Sequence, residues 1–197
     1  LVIFEGIFSM NGTFERGVFV KGVVLLVLVS VALLGGGCGD SWRGRLDSQL
    51  PVLGHRNWIV VADSAYPAQS RAGIETVATG AGQIEVVRAV LEAVDAAGHV
   101  RAKVYLDAEL NHVPEDEAAG IDAYRKELAA LLDGRKVKSV PHDELIGKLD
   151  AAAKTFNVLI FKTDLTLPYT SVFLELDCGY WGPAEEAKLR KAISRNK

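Results

Sequence analysis

Two side chains able to move protons, His55 and Asp63, bracket the apolar run "WIVVA" within "LGHRNWIVVADSAYP". A second histidine, His142, stands directly before the helix-forming segment "DELIGKLDAAAK". Imidazole titrates near neutrality, and a carboxylate bonded to one ring nitrogen fixes which nitrogen holds the proton; the set suits paired general acid–base work. Asp107 and Asp164 close the runs "VRAKVYLD" and "FNVLIFKTD" and add two more carboxylates. Each histidine also has a plainer reading: His55 as a solvent-facing residue before a strand, His142 as a neighbour of a helix start that Asp143 caps.

Other chemistries lack their residues. No Cys/His cluster has the spacing of zinc ligands, so no metal is expected. "TGAGQIE" has neither a third glycine at the needed spacing nor a Gly-Lys-Ser/Thr, which argues against a nucleotide. The acidic residues of "NHVPEDE" precede a helix, where they complement its dipole. His99 and His112 match no motif and are read as loop residues. Cys178 reads as a small core residue, and Tyr180 with Trp181 either stack on a ligand or close the core.

The elements that must position these groups alternate. "WIVVAD" is a continuous apolar run of strand length, as expected where both faces are covered. "GQIEVVRAVLEAVDAAG" carries Ile84, Val87, Val90, Leu91 and Val94 at helical spacing and ends at Gly98. "VRAKVYLD" is a strand, residues 115–134 a helix, "KVKSVPH" a short strand, residues 143–154 a helix, "FNVLIFKTD" and "SVFLELDCG" strands, and residues 183–195 a last helix with proline in its first turn. Strands alternating with helices predict a single α/β domain with a mostly parallel central sheet flanked by helices. Ligand chemistry in such folds gathers at the carboxyl ends of the strands. That rule selects Asp63, Asp107, His142 and Asp164 and sets His55 apart, at the amino end of its strand.

The chain has 197 residues, 49% of them hydrophobic, and a net charge of −3. No basic stripe supports nucleic-acid binding. Lys21 precedes "GVVLLVLVSVALLGGGCGD", which has the basic start, short apolar core and small-residue exit of a secretory signal. Residues 1–38 are therefore expected to be a signal segment, with Met10 a more ordinary start than Leu1. "LLGGGCG" resembles a bacterial lipoprotein cleavage site, which implies lipidation of Cys38, a membrane attachment and an exported, membrane-anchored or periplasmic location. Residues 39–49 are read as a tether leading to a first helix that ends near Gly54, and residues 50–197 as the folded domain.

"LGHRNWIVVADSAYPAQS", "SVPHDELIGK" and "LPYTSVFLELDCG" together resemble the D-ribose pyranase/L-fucose mutarotase family, over roughly Gln49 to Gly179. The resemblance implies a cofactor-independent isomerase that opens and recloses the ring of a free monosaccharide. It carries the family's catalytic positions onto His55, Asp63 and His142, and its sugar-binding positions onto Tyr169 and Ser171. Under it His55 is an acid/base oriented by Asp63, with His142 the complementary proton carrier; the two histidines are interchangeable. Ser171 stands where the family has asparagine, and a hydroxyl is shorter and differently directed than an amide. That departure leaves a second reading open, a noncatalytic monosaccharide-binding surface lipoprotein of the same fold. The family's ring-shaped homo-oligomers, with sites at subunit boundaries, further imply that His55 can serve a neighbouring subunit.

Overall fold

The structure is a computed structural model that describes residues 41–195; the expected signal segment, with Cys38, lies outside the described residues. Six strands, β1 (Trp58–Ala62), β2 (Ile74–Ala78), β3 (Val100–Asp107), β4 (Val137–Val140), β5 (Val158–Lys162) and β6 (Val172–Cys178), form one sheet in the order β2-β5-β1-β6-β3-β4. β5 runs parallel to β1 and β2, and β4 parallel to β3, while β6 is antiparallel to both its neighbours, β1 and β3. Five strands thus point one way, and the expected mostly parallel sheet is found with one reversed strand at its centre.

β1 is buried along its whole length, and its side chains alternate between two cores. Ile59 and Val61 pack with Trp42 and Leu46 of α1 (Trp42–Gln49), Val86, Val90 and Val94 of α2 (Gln83–Ala96), and Ile121, Tyr124 and Leu128 of α3 (Ile121–Leu131). Trp58, Val60 and Ala62 face the opposite side, with Leu145 and Leu149 of α4 (His142–Ala152). Helices therefore cover both faces, which is why β1 and β5 read as unbroken apolar runs. The last helix, α5 (Pro183–Arg195), has no buried residue.

Three boundaries differ from the sequence expectation. The stretch read as a tether is α1, capped by the Ser41 hydroxyl, which accepts from the Gly44 amide. It is not a spacer, because Trp42, Leu46, Leu50 and Leu53 recur near helical spacing and all are buried. β2 was not expected at all: "IETVA" is a half-exposed edge strand with little apolar signal. α3 begins six residues later than the acidic run at Glu115 predicts. Glu115 instead accepts from the amides of Gly120 and Asp122, and Gly120 lies in the left-handed region (φ 95°), a conformation glycine adopts without steric penalty.

Candidate active site

The reversed strand β6 assembles one end of the sheet. Val172, its first residue, pairs with Val61 of β1 on one side and Leu106 of β3 on the other. Ser171 and Tyr169, just upstream, are thereby brought to the end where β1 delivers Asp63 and β3 delivers Asp107. Asp107 in turn pairs with Val140 of β4, and two residues on, α4 begins at His142. Four segments distant in sequence meet at this edge because their strands are neighbours.

His142 Nδ1 lies 3.0 Å from Asp107 Oδ1. Asp107 is 1% exposed, and its second oxygen, Oδ2, is buried without a hydrogen-bond partner among the described residues. Burial pushes this carboxyl up to about 6, against the opposing pull of His142. The phenol of Tyr66, also buried and unpartnered, is pushed up first by desolvation and then by the charges of Asp107, Asp150 and Asp63. The His142 backbone amide donates to both Glu109 oxygens at 3.1 Å, so Glu109 caps α4; its carboxyl is held below the usual range by its own backbone amide first and then by that of His142. Tyr169 presents its ring edge-on to the imidazole, with centroids 5.6 Å apart and planes at 81°.

Asp63 accepts from the Ala65 amide at 2.9 Å, which closes the turn after β1, and from the Ser171 hydroxyl at 3.2 Å. Ser171 is 1% exposed, so it acts here as a buried donor to Asp63, with little surface of its own for a sugar. Tyr169 is 41% exposed and sits at φ 56°, a strained conformation for a bulky residue. The backbone around it is pinned: the Thr170 carbonyl accepts from Gln83 Nε2 at 2.8 Å and from the Tyr124 hydroxyl at 2.6 Å. Gln83, 2% exposed, also donates to the Val61 carbonyl and accepts from the Thr163 hydroxyl, so one buried amide ties β1, the end of β5 and the 167–171 loop together. A groove of about 470 Å³, lined by Ala108, Glu109, His112, Val113, Pro168 and Tyr169, opens beside the cluster.

His55 is elsewhere. It precedes β1, and its Nδ1 lies 3.1 Å from Asp177 Oδ1, at the far end of β6. The pairing with Asp63 expected from the sequence is not made within the chain, because a five-residue strand separates them by about 17 Å at ~3.3 Å per residue. Asp164 is exposed at the end of β5. Of the five residues singled out from the sequence, the structure gathers Asp63, His142, Tyr169 and Ser171 at one end of the sheet and puts His55 at the other. Gln83 and the Asp107–His142 contact went unassigned; a signal for the latter was present, since both residues fall at the carboxyl ends of consecutive strands.

Comparison with known proteins gives the following. The family described as the RbsD / FucU transport protein family matches residues 44–178. Among solved structures, RbsD of Bacillus subtilis complexed with D-ribose is 22% identical, with a TM-score of 0.49, over 70% of this chain and 93% of that one. A fucose mutarotase from Streptococcus pneumoniae in complex with L-fucose is 19% identical, with a TM-score of 0.45, over 70% and 93% of the two chains. FucU from Bifidobacterium longum is 19% identical, with a TM-score of 0.44, over 66% and 90%. No curated protein matches.

Proposed function

Because this chain belongs to the RbsD / FucU transport protein family, we propose that it opens and recloses the ring of a free monosaccharide by general acid–base catalysis. The observation that carries this reading is the Asp107–His142 pair beside Tyr169 and Asp63 at the strand ends. A cyclic sugar is a hemiacetal. Opening it removes the proton from the anomeric hydroxyl, breaks the bond between the anomeric carbon and the ring oxygen, and gives the ring oxygen a proton. The resulting aldehyde recloses on either face, or through a different hydroxyl. With Nδ1 bonded to Asp107, His142 keeps Nε2 for that exchange, and its side chain is 33% exposed, open enough to meet a ligand. Tyr169 offers a half-exposed ring and hydroxyl, and Asp63 a carboxylate held in place by Ser171.

The second proton carrier is His55 from another copy. Within one chain it cannot reach Asp63, so the reading requires a homo-oligomer in which the His55 end of one subunit meets the His142 end of the next, as in a ring. Mixing His55→Ala with His142→Ala chains tests this: active sites that regain both histidines restore a fraction of the activity lost in each variant alone. The expectation of export belongs to the same reading, with the chain held at a bacterial membrane through lipid on Cys38; mass spectrometry of the mature N-terminus decides it.

A noncatalytic monosaccharide-binding role is the second reading. It is favoured by Ser171, which replaces the family's asparagine and spends its hydroxyl on Asp63. Saturation-transfer NMR over a panel of aldoses separates the two. Enhanced anomer exchange with at least one sugar, reduced about a hundredfold or more in His142→Ala, supports catalysis. Line broadening by bound sugar with no enhanced exchange refutes it and leaves binding.

A further inference from the structure

We propose that Asp177 is the positioning residue for His55, fixing its ring so that Nδ1 carries the proton and Nε2 presents the lone pair. The proposal rests on the mutarotase reading for its catalytic consequence, but the positioning itself stands on geometry. Asp177 Oδ1 faces His55 Nδ1 at 3.1 Å and also accepts from the Cys178 amide at 3.0 Å. Its Oδ2 accepts from Arg101 Nη2 at 3.1 Å and lies 3.4 Å from Lys103 Nζ. A carboxylate flanked by these two cations is ionised and can only accept, and it is held down at about 2, where no working pH neutralises it. The proton between Asp177 and His55 must therefore belong to Nδ1. The other nitrogen agrees: Arg56 Nε, a donor, points at His55 Nε2 from 3.3 Å.

The backbone is built to keep this pair together. Arg56 adopts φ 76°, an uncommon left-handed conformation for a residue with a side chain. That turn lets the Arg56 amide donate to the Leu176 carbonyl at 2.9 Å while the Leu176 amide donates to the Asn57 carbonyl at 2.8 Å. Local strain of this kind persists where surrounding bonds over-determine it, often at functional sites. Here it delivers His55 onto the end of β6, one residue from Leu176. The pair then borders a pocket of about 760 Å³ whose walls include Lys103, Tyr180, Trp181 and Glu186. The two histidines of the proposed site are held alike, each through Nδ1 by an aspartate, His142 by a buried carboxyl and His55 by one clamped between cations.

Asp177→Asn gives a directional test. An amide has one accepting and one donating end, and the charge-assisted bonds from Arg101 and Lys103 claim the oxygen. The NH2 group then faces His55 and leaves the Cys178 amide without its acceptor, a smaller loss than parting the oxygen from two cations, so His55 must accept at Nδ1 and move its proton to Nε2. Nitrogen-15 NMR of the imidazole rings above the histidine titration, with His55 assigned by loss of its signals in His55→Ala, reads this without any assay of activity. The expected result is an Nδ1–H tautomer in the wild type and an Nε2–H tautomer in Asp177→Asn. A wild type with the proton on Nε2, or a folded variant with an unchanged tautomer, overturns the proposal. In the anomer-exchange assay, Asp177→Asn lowers kcat by about a hundredfold with KM little changed, and Asp177→Glu restores much of it. A loss confined to KM, or no rescue, also counts against positioning. Wild-type protein that exchanges no anomers refutes the mutarotase reading, while the tautomer measurement still decides the assignment of Asp177.

Discussion

Replacing Asp107 with asparagine tests the chemistry of the buried carboxyl through stability, before any substrate is known. In the folded chain its pKa is raised from 3.8 to about 6, chiefly by burial. The folded state thus holds this proton more tightly than the unfolded one. The group's stabilising contribution is complete below about pH 4 and is lost as pH rises through about 6. A difference of about two pH units corresponds to about 3 kcal/mol. Asparagine removes the titration but places an NH2 group where Oδ2 has no partner, at a cost of about 1–3 kcal/mol that does not vary with pH. Comparing the variant with the wild type at two pH values cancels that fixed cost. Urea unfolding at pH 4 and pH 8 is therefore expected to show the variant gaining about 2–3 kcal/mol relative to wild type at the higher pH, since the unfolded carboxyl is already partly ionised at pH 4. A relative stability that stays flat between the two, or moves the other way, refutes the account of Asp107 as a desolvated carboxyl. Unlike Asp177→Asn, this variant leaves the histidine's tautomer alone: the asparagine oxygen can still accept from His142 Nδ1, so the charge is lost and the orientation kept.

Two further substitutions test the frame around the site. Trp42→Ala removes a side chain only 9% exposed whose ring meets Phe161 edge-on at 6.0 Å, and is expected to cost about 3–5 kcal/mol in chemical denaturation; a loss below about 1 kcal/mol would mean that α1 is a dispensable tether after all. Gln83→Leu keeps the volume of the buried side chain but removes the amide that donates to the Val61 carbonyl and accepts from the Thr163 hydroxyl, leaving Thr163 its bond to the Ala62 carbonyl and the Thr170 carbonyl only Tyr124. About 2–4 kcal/mol of stability should go, together with the sugar affinity that the proposed function requires, as the strained turn at Tyr169 loosens; unchanged affinity in a destabilised protein would separate the scaffold from the site.

What could be read from the residues follows a physical line. Buried strands announce themselves, since both faces of β1 and β5 are covered and "WIVVA" and "VLIF" are apolar throughout. Their carboxyl ends, at Asp63 and Asp164, could therefore be marked in advance, and the ends of the less buried β3 and β4 mark Asp107 and His142. Lateral order is a different quantity. Nothing in the string says that β6 reverses and inserts between β1 and β3, yet that insertion carries Tyr169 and Ser171 to Asp63 and sends Asp177 to the other end, beside His55. An imidazole and a carboxylate a short strand apart invited pairing along the chain, whereas a sheet pairs residues across it. The usable clue lay in connectivity: β3 and β4 are consecutive strands joined by a helix, and such strands commonly lie side by side, which sets their carboxyl ends together. Applied to Asp107 and His142, that rule finds the contact the motif alone misses. No equivalent rule finds Asp177, because its meeting with His55 depends on a reversed strand and on a left-handed residue at Arg56, where the residue type gives no warning. The two aspartates that hold the histidines thus differ in how visible they are, though each makes the same kind of bond.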